Sequence, residues 1–162
     1  GAAGGVDPAI GGAFGAWWRV RPREAAAAFA SAIALRETLF RLFGAAAASD
    51  PANPGDLDIL NTALGSAAPR SRMAWRDGRF MWAADGLHPD MPTLLSSVLW
   101  SAADLLAGAR RDRVRQCANP QCRWVFLDDS KSANRRWCSM AACGNREKAH
   151  RHYLKRRKAP PE

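Results

Sequence analysis

Apolar residues recur at helical spacing through much of the first hundred residues. From Pro22 to about Ala48 the chain is rich in alanine. Ala28, Ala32, Leu35, Leu39 and Leu42 keep the three-and-four rhythm of a helix, with Phe29, Ile33, Phe40 and Phe43 beside them. So wide a stripe is expected in a core. Arg36 falls on it, between Ile33 and Phe40. Its expected role is to lay its stem over the core and pair at the rim; the alternative is an anchor for an acidic small ligand.

Other helices are predicted around this one. Asp7-Pro8 is an N-cap followed by proline at the first helical position, so a helix is expected from Pro8 toward Arg19, weakened by Gly11, Gly12 and Gly15 and ending in the packed pair Trp17-Trp18. The loop Asp50-Pro51-Ala52-Asn53-Pro54-Gly55 precedes a helix near Gly55–Ser66, with Leu57, Leu60 and Leu64 on one side. Between Pro89 and Gly108, Leu94, Leu95, Val98, Leu99, Ala102, Leu105 and Leu106 form an apolar face opposite Ser97, Ser101 and Asp104.

Over residues 71–84 the period changes to two. Asp77-Gly78 signals a two-residue hairpin turn. That register sets Trp75 against Phe80 and Met73 against Trp82 on one side, Ala74 and Met81 on the other, and Arg76 and Arg79 next to the turn. The aromatic side is expected to pack on helices; a ligand pocket lined by Trp75, Phe80 and Trp82 is the alternative.

Beyond Arg110 the composition shifts. Residues 110–162 hold fifteen Lys/Arg against five Asp/Glu, a net +10, whereas residues 1–109 hold nine against ten, a net −1. The whole surplus behind the net charge of +9 therefore lies in the last third of the 162-residue chain. A localised basic field points to a polyanionic partner, most often nucleic acid. A membrane partner is not expected: no apolar face is available to insert, and no apolar run is long enough to span. Within this segment Arg123–Leu127 alternates as a short strand, Asp128-Asp129-Ser130 turns the chain, and Asn145–Lys158 is expected as a basic terminal helix docking through Tyr153 and Leu154.

All four cysteines lie here, as two pairs of identical spacing, Cys117/Cys122 and Cys138/Cys143. Two tight turns that each carry two thiols supply the four ligands of a tetrahedral zinc site. Asn119-Pro120 suits the first turn, and Gly144 is expected to take positive φ where the second hands over to the helix. Four thiolates leave zinc no open position, so Zn2+ here is expected to be structural. Two disulfides are the alternative, set against the absence of a secretory signal, and His150 or His152 is a substitute ligand to weigh. A reduced, metal-loaded segment implies a cytoplasmic protein.

The stretch Cys143-Gly144-Asn145-Arg146 resembles the CGNR zinc finger. So do Trp137-Cys138-Ser139-Met140 before it and Cys122-x-Trp124-x-Phe126-Leu127-Asp128 upstream. That module ends bacterial proteins that carry an ABATE domain and are described as stress-induced transcription regulators. The likeness is dense from Arg115 to about Arg157. Ala34-Leu35-Arg36-Glu37 and Ser101-Ala102-Ala103-Asp104-Leu105-Leu106 are similar to the family's helical part. Family members usually open with an additional segment around Leu-Asp-Phe and Asn-Thr; this chain starts at Gly1, as a truncated product or a shorter member would. The resemblance implies a helical domain with a sensor role, joined to a DNA-binding finger.

The reading is then a mainly α protein with a small β-hairpin. An orthogonal helical domain over 1–109 precedes a four-cysteine zinc-binding module over 110–162. The expected function is DNA-binding transcription regulation, with a small-molecule ligand in the helical domain. Phosphate contacts are expected from Arg135, Arg136, Arg146, Lys148, Arg151, Lys155, Arg156 and Arg157. For Arg146 a second role stays open, pinning the second knuckle through backbone carbonyls. The alternative function is an RNA- or protein-interaction module with a purely structural zinc, using Trp124 and Trp137 as platforms, although both tryptophans are expected to cover the metal. An enzyme is not expected. There is no glycine-rich phosphate loop, no histidine before His88, and nothing that pairs Glu24, Glu37, Asp56, Asp58 and Asp104.

Overall fold

The computed structural model describes residues 8–76, 78–83 and 91–158. Asp7, Asp77 and His88 lie outside the described residues. The chain is mostly helical with one small hairpin and a cysteine cluster near its C-terminus. It divides into two compact units, one of residues 1–42 and 53–107, the other of residues 43–52 and 108–162.

The first unit holds α1 (Pro8–Arg19), most of α2 (Pro22–Ala48), α3 (Pro54–Ser66), the hairpin β1 (Arg72–Arg76) and β2 (Arg79–Ala83), and α4 (Met91–Ala107). Asn53 caps α3: its Oδ1 accepts the Asp56 N–H at 3.2 Å, and Pro54 follows at the first helical position, where a missing N–H costs nothing. The hairpin is antiparallel with Trp75 opposite Phe80 and Met73 opposite Trp82, as its turn predicts, and Gly78 takes φ of 74°.

The core is narrower than the hydrophobic pattern suggests. Along α2, Leu35, Thr38 and Leu42 are buried. A helix turns about 100° per residue, which puts Phe29, Ile33, Arg36 and Phe40 on the opposite side. Phe29 and Phe40 are accordingly exposed, and Arg36 pairs at the surface with the neighbouring Glu37, Nε to Oε1 3.0 Å. The single wide stripe expected from the sequence is therefore two stripes, of which one is inside. Leu60 of α3 and Leu99 and Ala102 of α4 are the other buried apolar residues of this unit among those described, while Leu57 and Val98 are exposed. The hairpin's aromatic side is exposed too, with Trp75 and Phe80 meeting edge to face at 4.7 Å and Trp82 and Met73 beside them in solvent.

Polar contacts that the pattern does not announce lock this unit. Arg41 donates to both oxygens of Asp56, Nη2 to Oδ1 at 2.6 Å and Nε to Oδ2 at 3.0 Å, and also to buried Thr38 at 3.1 Å. Hydrogen bonding from Arg41 holds the Asp56 carboxyl below its ordinary range despite the opposing effect of burial. Ser96, buried in α4, accepts the Ala68 N–H at 2.9 Å.

The second unit is built on two short antiparallel strands, β3 (Val114–Gln116) and β4 (Val125–Leu127), with Arg115 opposite Phe126. A 3₁₀ turn over Ala109–Arg113 leads into β3, and a π-helical turn over Met140–Gly144 leads into α5 (Asn145–Lys158). The first strand is not evident from the sequence, where its residues read only as a basic lead-in. Tyr153 and Leu154 are exposed, so α5 does not dock through them. No helix among the described residues is long and apolar enough to cross a membrane.

Candidate metal centre and basic surface

The two cysteine turns are built differently. In the first, the buried Asn119 accepts the Gln121 N–H on its Oδ1 at 3.0 Å, and its carbonyl accepts the N–H of Cys122 at 2.9 Å and of Arg123 at 3.1 Å. The chain closes on itself so tightly that Arg123 takes φ of 51°. In the second, the Ser139 carbonyl accepts the Cys143 N–H at 2.9 Å and the Gly144 N–H at 3.1 Å, and the Ser139 hydroxyl caps Ala142. Gly144 does not use positive φ here. A β-carbon there would stand 2.6 Å from the Met140 sulfur and 3.2 Å from the Trp137 ring, so the Met140 side chain would have to move aside to admit one.

These turns bring the four sulfurs within 4.8 Å of one another, with Cys122 to Cys138 and Cys138 to Cys143 each 3.7 Å. That is far beyond the ~2.05 Å of a disulfide, and all four thiols are free. It does match the edge of a tetrahedron with metal–sulfur bonds of about 2.3 Å, which comes to about 3.8 Å. The group contains cysteines alone; His150 and His152 lie exposed on α5 and are not part of it. Burial raises the Cys117 thiol, but the backbone donors of Cys138 and Asn119 and the neighbouring thiols outweigh it and bring it down to about 7. Burial and the crowding of its neighbours push Cys138 up to about 12. A set of thiols this close ionises together only around a cation.

Between the cysteine pairs the chain is organised by Asp128, whose side chain is wholly buried. Its Oδ1 accepts the Ser130 N–H at 3.0 Å and the Ser130 hydroxyl at 2.6 Å, and its Oδ2 accepts the Arg135 N–H at 2.7 Å. Hydrogen bonding from Ser130 is the largest influence on its carboxyl and holds it below the ordinary range against burial. From the sequence, Asp128-Asp129-Ser130 is expected only as a turn.

Arginines hold the surrounding carbonyls. Arg113 donates to the carbonyls of Asp128 at 3.2 Å and Ser130 at 3.1 Å, and Arg115 to those of Asp112 at 2.7 Å and Ala133 at 3.3 Å. Arg135 donates to the Cys138 carbonyl at 2.7 Å and lies 5.0 Å over the Phe126 ring. The carbonyl-pinning role considered for Arg146 at the second knuckle is filled by Arg135, while Arg113 and Arg115 hold carbonyls of the loop between the cysteine pairs.

The other basic residues separate by their contacts. Arg136 lies over the Trp137 ring at 5.3 Å, Arg157 over Tyr153 at 5.8 Å, and Arg151 reaches Glu147 at 3.7 Å. Arg146, Lys148 and Arg156 are exposed and make no hydrogen bond or ion pair among the described residues. The backbone of Lys155 is helical, and its side chain lies outside what is described. Trp137 is half-buried near Gly144, whereas Trp124 is 66% exposed.

Residues 7–109 match the ABATE family, described as "Putative stress-induced transcription regulator", and residues 113–156 match the CGNR zinc finger. No curated protein matches the chain.

Proposed function

Since the chain belongs to the ABATE family and carries a CGNR zinc finger, we propose that it is a zinc-stabilised transcription regulator whose C-terminal unit binds DNA and whose helical unit senses a small ligand. Cys117, Cys122, Cys138 and Cys143 would hold Zn2+. With four thiolates the ion supplies structure and no open coordination position, so it does no chemistry on a substrate. The chain's own residues do the rest. Asp128 and the three carbonyl-binding arginines fix the strands and turns around the site. The π-helical turn starts α5 directly after the last cysteine.

The observation that carries the DNA reading is how charge is distributed around α5. Each of the four acidic residues in 110–158 is engaged locally: Asp112 with Arg111, Asp128 with its loop, Asp129 with Arg110, and Glu147 with Arg151. Arg146, Lys148 and Arg156 stand in solvent with no acidic partner among the described residues, which is where phosphate contacts form. The test is duplex-DNA binding by fluorescence anisotropy across a salt series. Log affinity falls steeply with log salt, and the triple variant R146A/K148A/R156A lowers that slope by about 2–3. No binding at low salt defeats the proposal.

A second reading has one specific observation behind it. Trp124 is exposed on the same unit as the basic helix and makes no ring contact among the described residues, as a stacking platform for an unpaired base would. Competition between duplex DNA and single-stranded RNA separates the two, and loss of RNA binding in Trp124→Ala would favour the second.

A further inference from the structure

A groove of about 590 Å³ opens between α2, α3 and α4, entirely within the first unit. It continues the buried stripe of α2 at the point where the side chains shrink. Leu35, Thr38 and Leu42 fill their space, whereas Ala28, Ser31 and Ala34, a turn or two earlier, do not. Leu99, which is 1% exposed, and Leu35 belong to the lining. The size falls in the range of small-molecule sites, about 300–1,000 Å³.

Of the four polar side chains in the lining, Ser31, Ser66 and Asp58 offer acceptors, and the Thr62 hydroxyl is left able to donate or accept. The Ser31 hydroxyl donates its one proton to the Ala27 carbonyl at 3.0 Å, and the Ser66 hydroxyl donates to the Thr62 carbonyl at 3.1 Å. Both oxygens keep only lone pairs for a ligand. Asp58 is the one charged residue in the lining, and it has no hydrogen bond or ion pair among the described residues. An apolar groove with an exposed, unpaired carboxylate at its rim and acceptor hydroxyls beside it favours a cationic donor over an anion.

We infer that this groove is the binding site for a small organic ammonium, an apolar body carrying a protonated amine that pairs with Asp58. The inference deepens the ligand-sensing role proposed for the helical unit and rests on it for any regulatory consequence. Arg36, considered from the sequence as an anchor for an acidic ligand, lies on the other side of α2 and pairs with Glu37.

The test uses the full zinc-loaded chain and two probes of like shape and opposite charge, 1-adamantylmethylammonium and 1-adamantanecarboxylate, titrated calorimetrically. The ammonium is expected to bind, with the carboxylate roughly tenfold weaker or undetectable. Asp58→Asn, which keeps the shape, lowers ammonium affinity about three- to fivefold and narrows the gap between the probes. Ala34→Leu, an exposed helical position that tolerates leucine, places three more carbons in the groove and weakens binding of both. Equal binding of the two probes, or unchanged ammonium affinity in Ala34→Leu, overturns the site. Sedimentation that shows a self-associating wild type and a monomeric Ala34→Leu also overturns it, by assigning the groove to a second copy of the chain. DNA affinity is then measured with and without the ammonium. Bound ammonium with unaltered DNA affinity upholds the site and removes only the sensing role.

Discussion

Oδ2 of Asp128 accepts the backbone N–H of Arg135 at 2.7 Å, closing the loop that carries the chain from the first cysteine turn to the second. Oδ1 of the same carboxylate takes both donors of Ser130, so three donors converge on one buried anion. An amide cannot replace it, because its NH₂ would have to face either the Arg135 N–H or the Ser130 pair. Asp128→Asn is expected to weaken zinc binding by roughly tenfold, as loss of a supporting group around a metal site does. Competition with a chromophoric chelator measures it. Unchanged affinity would mean that Arg113 and Arg115 hold the loop without Asp128.

Removing the metal should unfold the second unit. Its described buried residues are few, chiefly Val114, Cys117, Asn119, Asp128, Cys143 and Gly144, too small a set for a core. Structural zinc supplies on the order of 10 kcal/mol to such modules. A zinc chelator at neutral pH is expected to collapse the amide NMR dispersion of residues 108–158, and added zinc to restore it. Retention of that dispersion in chelator would show that the unit folds on packing alone.

The Arg41–Asp56 pair makes an acid-side prediction for the first unit. The Asp56 carboxyl is held below its unfolded value of about 3.9. Its contribution to stability is therefore complete above that value and is lost as pH falls through the lower folded value. Asp56→Asn should be less stable than the parent in urea unfolding at pH 6, and the difference should shrink as pH falls below the ordinary carboxylate range. A pH-independent difference would assign the loss to packing or to the helix cap.

Leu99 is the anchor of the helical core at 1% exposure. Leu99→Ala is expected to cost about 2–5 kcal/mol in urea unfolding, since α3 and α4 cannot close fully over the space left. Phe29→Ala, on the outer stripe of α2, should change stability by less than about 0.5 kcal/mol. Equal costs at the two positions would contradict the division of α2 into an inner and an outer stripe.

Helix α5 is polar on all sides, and a helix of that kind is held by few contacts of its own. Binding a polyanion along it should raise its helicity. Far-UV circular dichroism is expected to show a gain on adding duplex DNA, and R146A/K148A/R156A to reduce that gain. An unchanged spectrum at saturating DNA would place the contacts elsewhere.

The local elements and the metal site could be read from the sequence because short-range physics decides them. Helical spacing marks α2, α3 and α4, the Asp77-Gly78 turn fixes the register of the hairpin, and paired cysteine spacings announce a four-sulfur site. Composition alone separates the basic segment from the rest. What only the tertiary structure decided is which side of each element faces inward and which partner each charge takes. Phe29 and Leu35 look alike in sequence, yet one is exposed and the other buried, because helical periodicity identifies a stripe without saying which stripe meets α3 and α4. Arg135 and Arg146 are likewise equivalent as composition. One is bound to the Cys138 carbonyl and the other has no partner among the described residues, because the loop closed by Asp128 carries Arg135 back over β4. The sequence leads to an expectation of positive φ at Gly144, which the residue does not take; the close approach of Met140 and Trp137 to it exists only once the second cysteine turn is folded.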